Sequence, residues 1–357
     1  MVRPPRRALA VTAMRMVAWL TLSLCVPRTA AAVIILGSSA GNTSAPSGSL
    51  GVRWSQVGNF DMFLGTPIAP AFFLTAKHLG NLTGSAITFP DGTSYTTTGW
   101  FEDPASDLAI YQISGTFPED KIVPLYSGTT FSANAPLTIF GRGVPRTDAA
   151  IVGDAFGGGS EAKGWSWGTG MGTRSWGTNT LSSLTDGGAA GMQLRYTFSP
   201  TGPADEGTLS LGDSGGPVFV EQAGEWRLAG VNYAVDNPFN TSATGTGFNA
   251  AIYDRGGLYA SLSGDIAGPW SYVSPTLLSQ PASSFSTAVS SSSDWITGVI
   301  AVPEPEAATL VVAAMLTLAM LRLPVPRRGT DDGGLTASLV PLTPASRSRT
   351  RRGRRPA

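Results

Sequence analysis

Apolar and polar positions along the chain change period several times, and each change predicts an element. Ala71 to Leu74 form a continuous apolar run that the polar stretch "TAKH" leaves at His78. That pattern predicts a short buried strand with His78 at its end. Leu108 to Ile113 form a second apolar stretch with some alternation, predicting another strand that begins just after Asp107. "GGGSEAKGWSWGTGMGTRSWGTN", 157–179, interleaves tryptophans with glycines. It is expected to form a hairpin with cross-strand aromatic packing, or else to line an aromatic subsite of a cleft. "SQPASSFSTAVSSSSDW", 279–295, has almost no charge and many serines, and is expected to be a flexible stalk. Two further apolar stretches, Met16 to Val26 and Ala307 to Leu321, lie near the ends. No repeat occurs at a fixed period.

Composition narrows the fold class. Charged residues make up only 13% of the chain and there are 44 glycines, which favours an all-β protein with many turns. The formal net charge of zero hides an uneven distribution. Residues 1–32 carry five arginines and residues 322–357 carry nine, leaving ten basic and twenty acidic residues between Val33 and Ala301. That central part is acidic, at −10, and lacks the basic patch that nucleic-acid binding needs. The single cysteine, Cys25, falls in the leader, so the mature domain is expected to have no disulfide and no thiolate metal site. With one histidine, a His-rich zinc site is also not expected, nor is any metal or cofactor. The glycines of 157–179 are not followed by Gly-Lys-Ser/Thr, so they make no phosphate loop.

The ends are read as addresses. Arginines, the apolar run to Val26 and the small residues Ala30–Ala32 form a signal peptide over 1–32, with Met14 as an alternative start. At the far end "VPEPEAATLVVAAMLTLAMLRLPVPRR", 302–328, places Pro303-Glu304-Pro305 before fifteen uncharged residues and a basic cluster. This order resembles the PEP-CTERM sorting signal of Gram-negative bacteria. The resemblance implies a sorting enzyme of the exosortase kind as partner, and transient membrane contact through the apolar helix. Fifteen residues are short of the ~20 that a spanning helix usually needs, and the alternative is a plain short anchor. The Arg-rich tail, 329–357, extends further than is usual in that family and is expected to be disordered. The folded domain is thus expected over 33–277 and a Ser-rich linker over 278–301, in an exported protein of the bacterial envelope.

The densest chemistry lies in "LGDSGGPVF", 211–219, with Ser214 as candidate nucleophile. Its base would be the only histidine, His78. Asp107 is the preferred acid because it abuts a strand, and Asp103 is a competitor. "TAKH", "DLAI" and "GDSGGP", in that order, resemble the trypsin-like, chymotrypsin-fold serine protease family over roughly Leu50 to Trp270. The resemblance implies two antiparallel barrels of about six strands each, with His78 and Asp107 from the first and Ser214 from the second. The tryptophan hairpin then falls in the second barrel. It further implies an oxyanion hole from the N–H groups of Gly212 and Ser214. Asp213 would be the buried acid that pairs with a new N-terminal amine, and removal of the leader would leave a chain starting near Val33.

The same resemblance sets a primary pocket. Its floor would be Thr208, and Asn232, Tyr233 and Ala234 would lie beside the substrate. Thr208 supplies no charge, so small or apolar residues are expected before the scissile bond; Asp205 and Glu206 are the nearest acids. Ala234 stands where the family usually has glycine, and Leu79 where many relatives have cysteine. The implied activity is that of an endopeptidase acting on protein or peptide substrates. The alternatives are an inactive protease-fold binding protein and an esterase using the same three side chains.

Overall fold

Runs such as "FFLTA" are buried along their whole length and pair as antiparallel strands. A computed structural model describes residues 32–155 and 159–301 of the chain. The expected signal peptide up to Ala31, the 302–328 sorting segment with its apolar helix, and the 329–357 tail lie outside the described residues. Among the described residues no helix is long and apolar enough to cross a membrane.

Six strands close into a first barrel: β1 (Gly58–Phe60), β2 (Phe63–Ala69), β3 (Phe72–Ala76), β4 (Ala86–Thr88), β5 (Ser94–Glu102) and β6 (Leu108–Ile113). Their order around the barrel is β1-β2-β3-β6-β5-β4, and β4 returns to β1. Phe60, Phe73, Ile87 and Tyr111 fill the interior, with Phe73 stacked on Tyr111 at 5.4 Å. Phe72 and Leu74, the neighbours of Phe73, belong to a different cluster that includes Phe140, Phe219 and Val231 of the second half. Strand β3 is therefore covered on both faces, which is why it reads as a continuous apolar run rather than an alternating one.

The second half contains β7 (Pro136–Gly141), β8 (Ser175–Thr180), β9 (Ser183–Asp186), β10 (Met192–Thr197), β11 (Pro217–Gln222), β12 (Glu225–Val235) and β13 (Ser283–Ala288). Their order is β8-β7-β11-β12-β13-β10-β9. The two outer strands, β8 and β9, are separated only by Leu181 and Ser182. Leu181 N–H donates to Ala135 O at 2.9 Å and Ser182 N–H donates to Arg195 O at 2.8 Å, so pairing continues through the join. Counted as one bent strand, β8–β9 closes a second six-stranded barrel. The all-β, two-barrel class expected from the sequence is present.

The expected boundary at residue 277 and the linker over 278–301 are corrected. Residues 283–288 form β13, an inner strand between β12 and β10. A helix follows at Ser293–Ile300, with Ile296 fully buried in the cluster between the barrels. Serine is small enough for close strand packing, and here the hydroxyls are bonded. Ser284 Oγ pairs with Thr208 Oγ1 at 2.9 Å, and Ser286 Oγ pairs with Tyr196 Oη at 3.1 Å.

The tryptophan hairpin also differs from expectation. Strands Arg146–Ala155 and Gly159–Trp167 pair with each other, and Gly159–Trp167 also pairs with Ala250–Ile252, outside the barrel sheet. Two insertions, one after β7 and one after β12, are thereby joined beside the second barrel.

Candidate active site

Strand register brings His78 and Asp107 together. Ala76 pairs with Leu108, so the residues just past the end of β3 face those just before β6. His78 sits in a single turn, Lys77–Leu79, and Lys77 N–H donates to Asp107 O at 2.9 Å. The Asp107 carboxylate then meets the histidine twice. Oδ1 accepts His78 N–H at 3.0 Å, and Oδ2 lies 2.6 Å from Nδ1. Asp107 is buried, while the imidazole is partly exposed on its other side. Asp103, the competing acid, is used elsewhere. Its carboxylate accepts bonds from Ala105 N–H, Ser106 Oγ and Ser292 Oγ, fixing the loop that presents Asp107.

Ser214 comes from the loop between Thr208 and β11. Its Oγ lies 2.8 Å from His78 Nε2. Two glycines shape this loop. Gly212 has φ +93° and Gly215 has φ +76°, both in the region that disfavours side chains. A Cβ on Gly215 would also strike Thr75 Oγ1 and lie 2.8 Å from Leu64 O. The loop can thus rest directly against the strand that leads to His78. The backbone N–H groups of Gly212 and Ser214 donate to no other group among the described residues. Behind the loop, fully buried Asn232 donates to Phe140 O at 2.8 Å and Asp213 O at 3.1 Å.

Asp213 is buried. Its carboxylate accepts Ser210 N–H at 2.7 Å, Gly143 N–H at 2.8 Å, Ser210 Oγ at 3.0 Å and Val33 N–H at 3.3 Å. All of these donors are neutral within the continuous chain. Burial outweighs them and pushes the carboxyl up to about 6, from an ordinary 3.8.

A cavity of about 300 Å³ opens beside Ser214. Its apolar wall is Trp167, Leu209, Leu211, Tyr233, Ala234 and Val235. The Tyr233 ring stands edge-on to the His78 imidazole, with centroids 5.7 Å apart. Of the four residues expected beside the substrate, Tyr233 and Ala234 line this cavity, whereas Thr208 and Asn232 do not. Thr208 is held in a short pairing with Ile34 and bonds Ser284, so the loop's own Leu209 and Ser210 replace it at the cavity. Asn232 braces the loop from behind. Asp205 and Glu206 do not line the cavity, and the buried Glu206 carboxylate instead accepts Ser199 N–H. Trp167 was visible in the sequence only as part of a tryptophan-rich segment, because its place at the cleft depends on the insertion folding back along Ala250–Ile252.

No family model matches the chain. No curated protein matches it. Among the solved structures similar to it is neuropsin, a serine protease expressed in the limbic system of mouse brain. That match covers 70% of this chain and 96% of the other, at 12% identity and a TM-score of 0.41. At that score and identity it transfers no residue role, and the reading of the site rests on the site's own geometry.

Proposed function

We propose that the protein is a serine endopeptidase that forms an acyl-enzyme on Ser214. The observation that carries this reading is one continuous relay: Ser214 Oγ to His78 Nε2 at 2.8 Å, and His78 Nδ1 to Asp107 Oδ2 at 2.6 Å. A serine hydroxyl is a weak nucleophile until a base takes its proton. Here Ser214 Oγ attacks the carbonyl carbon while its proton passes to His78 Nε2. Asp107 fixes the imidazole so that Nδ1 keeps its proton, and stabilises the cation that forms. The tetrahedral oxyanion is held by the free N–H groups of Gly212 and Ser214. The C–N bond then breaks, and the amine leaves with the proton from Nε2. Water repeats the sequence to release the acid. The apolar part of the cavity wall, Trp167, Leu209, Leu211, Tyr233, Ala234 and Val235, favours an apolar residue before the scissile bond. Export and an address at the cell envelope belong to the same proposal, on the strength of the arginine-flanked apolar segments at the ends.

The test uses the full-length protein purified in detergent. A fluorophosphonate should label Ser214, located by peptide mapping, and peptides with an apolar residue before the scissile bond should be cleaved. Ser214→Ala should lower amide hydrolysis by roughly 10⁴-fold or more, and His78→Ala by a similar factor. A protein that hydrolyses esters and no peptides would be an esterase. One that neither labels nor turns over would be a binding protein on this fold.

A further inference from the structure

Ten basic residues lie between Val33 and Ala301. Six of them stand within 3.8 Å of a carboxylate. Lys77 is bonded to Asp103 O and Arg195 to Ser283 Oγ. The remaining two, Arg142 and Arg174, are near neighbours whose bonds, among the described residues, all go to uncharged groups. Arg142 Nε donates to Gly172 O at 2.9 Å, and its Nη1 donates to Asp61 O at 2.8 Å. Arg174 donates to Trp54 O at 2.8 Å and to Asn59 Oδ1 at 2.7 Å. Burial, together with the adjacent Arg142 charge, brings Arg174 down to about 10. The Asp61 carboxylate acts on Arg142 through space, so two cations against one carboxylate leave a locally positive spot in a domain that is otherwise acidic.

Its position matters more than its charge. Arg142 immediately follows β7, and its neighbour Gly143 donates to the Asp213 carboxylate beside Ser214. Gly172 exchanges bonds with Arg142, and the next residue back, Met171, would be struck by a Cβ on Gly212. Asp61 and Phe63, the other acceptors of Arg142, lead into Leu64, whose carbonyl lies against Gly215. Segments 61–63, 142–143 and 171–172 thus meet on one side of the Ser214 loop. None of these segments lines the apolar cavity with Tyr233 to Val235. A substrate whose acyl part fills that cavity has its leaving part outside it, free to pass over the Arg142 side of the loop.

We propose that Arg142, backed by Arg174, is a specificity-determining group that selects an Asp or Glu within the first three residues after the scissile bond. This rests on the endopeptidase reading. Because the domain as a whole carries −10, acidic residues elsewhere in a substrate gain nothing, and the preference is confined to one position.

The experiment uses the full-length protein in detergent. Peptides with one common acyl part carry Glu, Gln or Lys in turn at each of the three positions after the scissile bond. An aminocoumarin amide of the same acyl part has no residue there. At one position Glu should exceed Gln in kcat/KM by about five- to tenfold, with Lys below both. The Glu/Gln ratio should shrink towards one in about 0.5 M salt. Arg142→Gln should abolish the ratio and Arg142→Lys should keep part of it. If the Gln variant fails to fold, the positional scan and salt series on the unaltered protein still decide. Equal rates for Glu and Gln at all three positions, with the coumarin amide cleaved, overturn this inference and leave the hydrolase reading standing. A ratio that persists in Arg142→Gln overturns the assignment to Arg142. Cleavage of no substrate overturns both.

Discussion

Asp213 sits one residue from the nucleophile, and its state depends on whether the chain continues before Val33. In the uncleaved chain its donors are neutral N–H and O–H groups, and burial raises it from 3.8 to about 6. A folded carboxyl that holds its proton longer than the unfolded one contributes most below pH 3.8. That contribution is lost as pH rises from 3.8 to about 6. Cleavage before Val33 would place an ammonium where the Val33 N–H now lies 3.3 Å from Oδ1, and the anion would then be favoured. Two expected outcomes follow for Asp213→Asn, read as Tm at pH 5 and pH 8. In the uncleaved protein the variant should be as stable as the parent at pH 8 or more so. In a protein starting at Val33 it should be clearly less stable there, with lower activity. Equal effects in both forms would exclude the ion pair. Asp213 and Ser214 stand in "GDSGGP", His78 in "TAKH" and Asp107 in "DLAI", local signatures that carry residue type and order, and the fold brings Ser214, His78 and Asp107 within hydrogen-bond distance. The pocket floor was not legible. Whether Thr208 or Leu209 faces the cavity depends on a pairing with Ile34 and on Ser284, contacts distant in sequence.

Strand β13 and the helix after it are the elements that composition concealed. Ser-rich, nearly uncharged segments are usually linkers because they bury too little apolar surface to stay ordered. Here the burial is polar and matched: Ser283 accepts Arg195 Nε, Ser284 pairs with Thr208, and Ser286 pairs with Tyr196 and reaches Asn232. No periodicity in the sequence announces such a set of partners, whereas β3 and β6 were read correctly because their apolar side chains face two cores. A chain cut after Leu277 should therefore fail to fold, since β12 and β10 would each lose a neighbour and Asn232 a bond. A chain ending at Ala301 should fold. Within the full chain, Ile296→Ala should cost about 2–5 kcal/mol, as for other fully buried aliphatic truncations. Chemical denaturation of these variants measures both effects. A stable, cooperative domain ending at Leu277 would show that β13 is dispensable.

At the scale of the whole molecule, the folded region extends to the edge of the Pro-Glu-Pro segment. Val302 alone stands between Ala301, the last described residue, and Pro303. The Ser-rich stretch that would have acted as a spacer is the last barrel strand. If a sorting enzyme acts at Pro303-Glu304-Pro305, it must work within a few residues of a packed helix, and folding should slow cleavage. Sorting would rest on the apolar stretch Ala307–Leu321 partitioning into the bilayer with Arg322, Arg327 and Arg328 left on the cytoplasmic side, an arrangement that would hold Pro-Glu-Pro near the opposite interface. The expected outcome has two parts. Intact-mass analysis of envelope-associated protein should find the Arg-rich tail missing in cells that contain the sorting enzyme and present in cells that lack it. Inserting about ten Gly/Ser residues after Ala301 should speed that loss, because a flexible spacer of that length adds reach without adding contacts. A plain membrane anchor predicts otherwise: the tail stays attached in both strains, Glu304→Gln changes nothing, and the insertion has no effect on mass. Finding Arg351–Arg355 on the protein in both strains would therefore discard sorting in favour of anchoring.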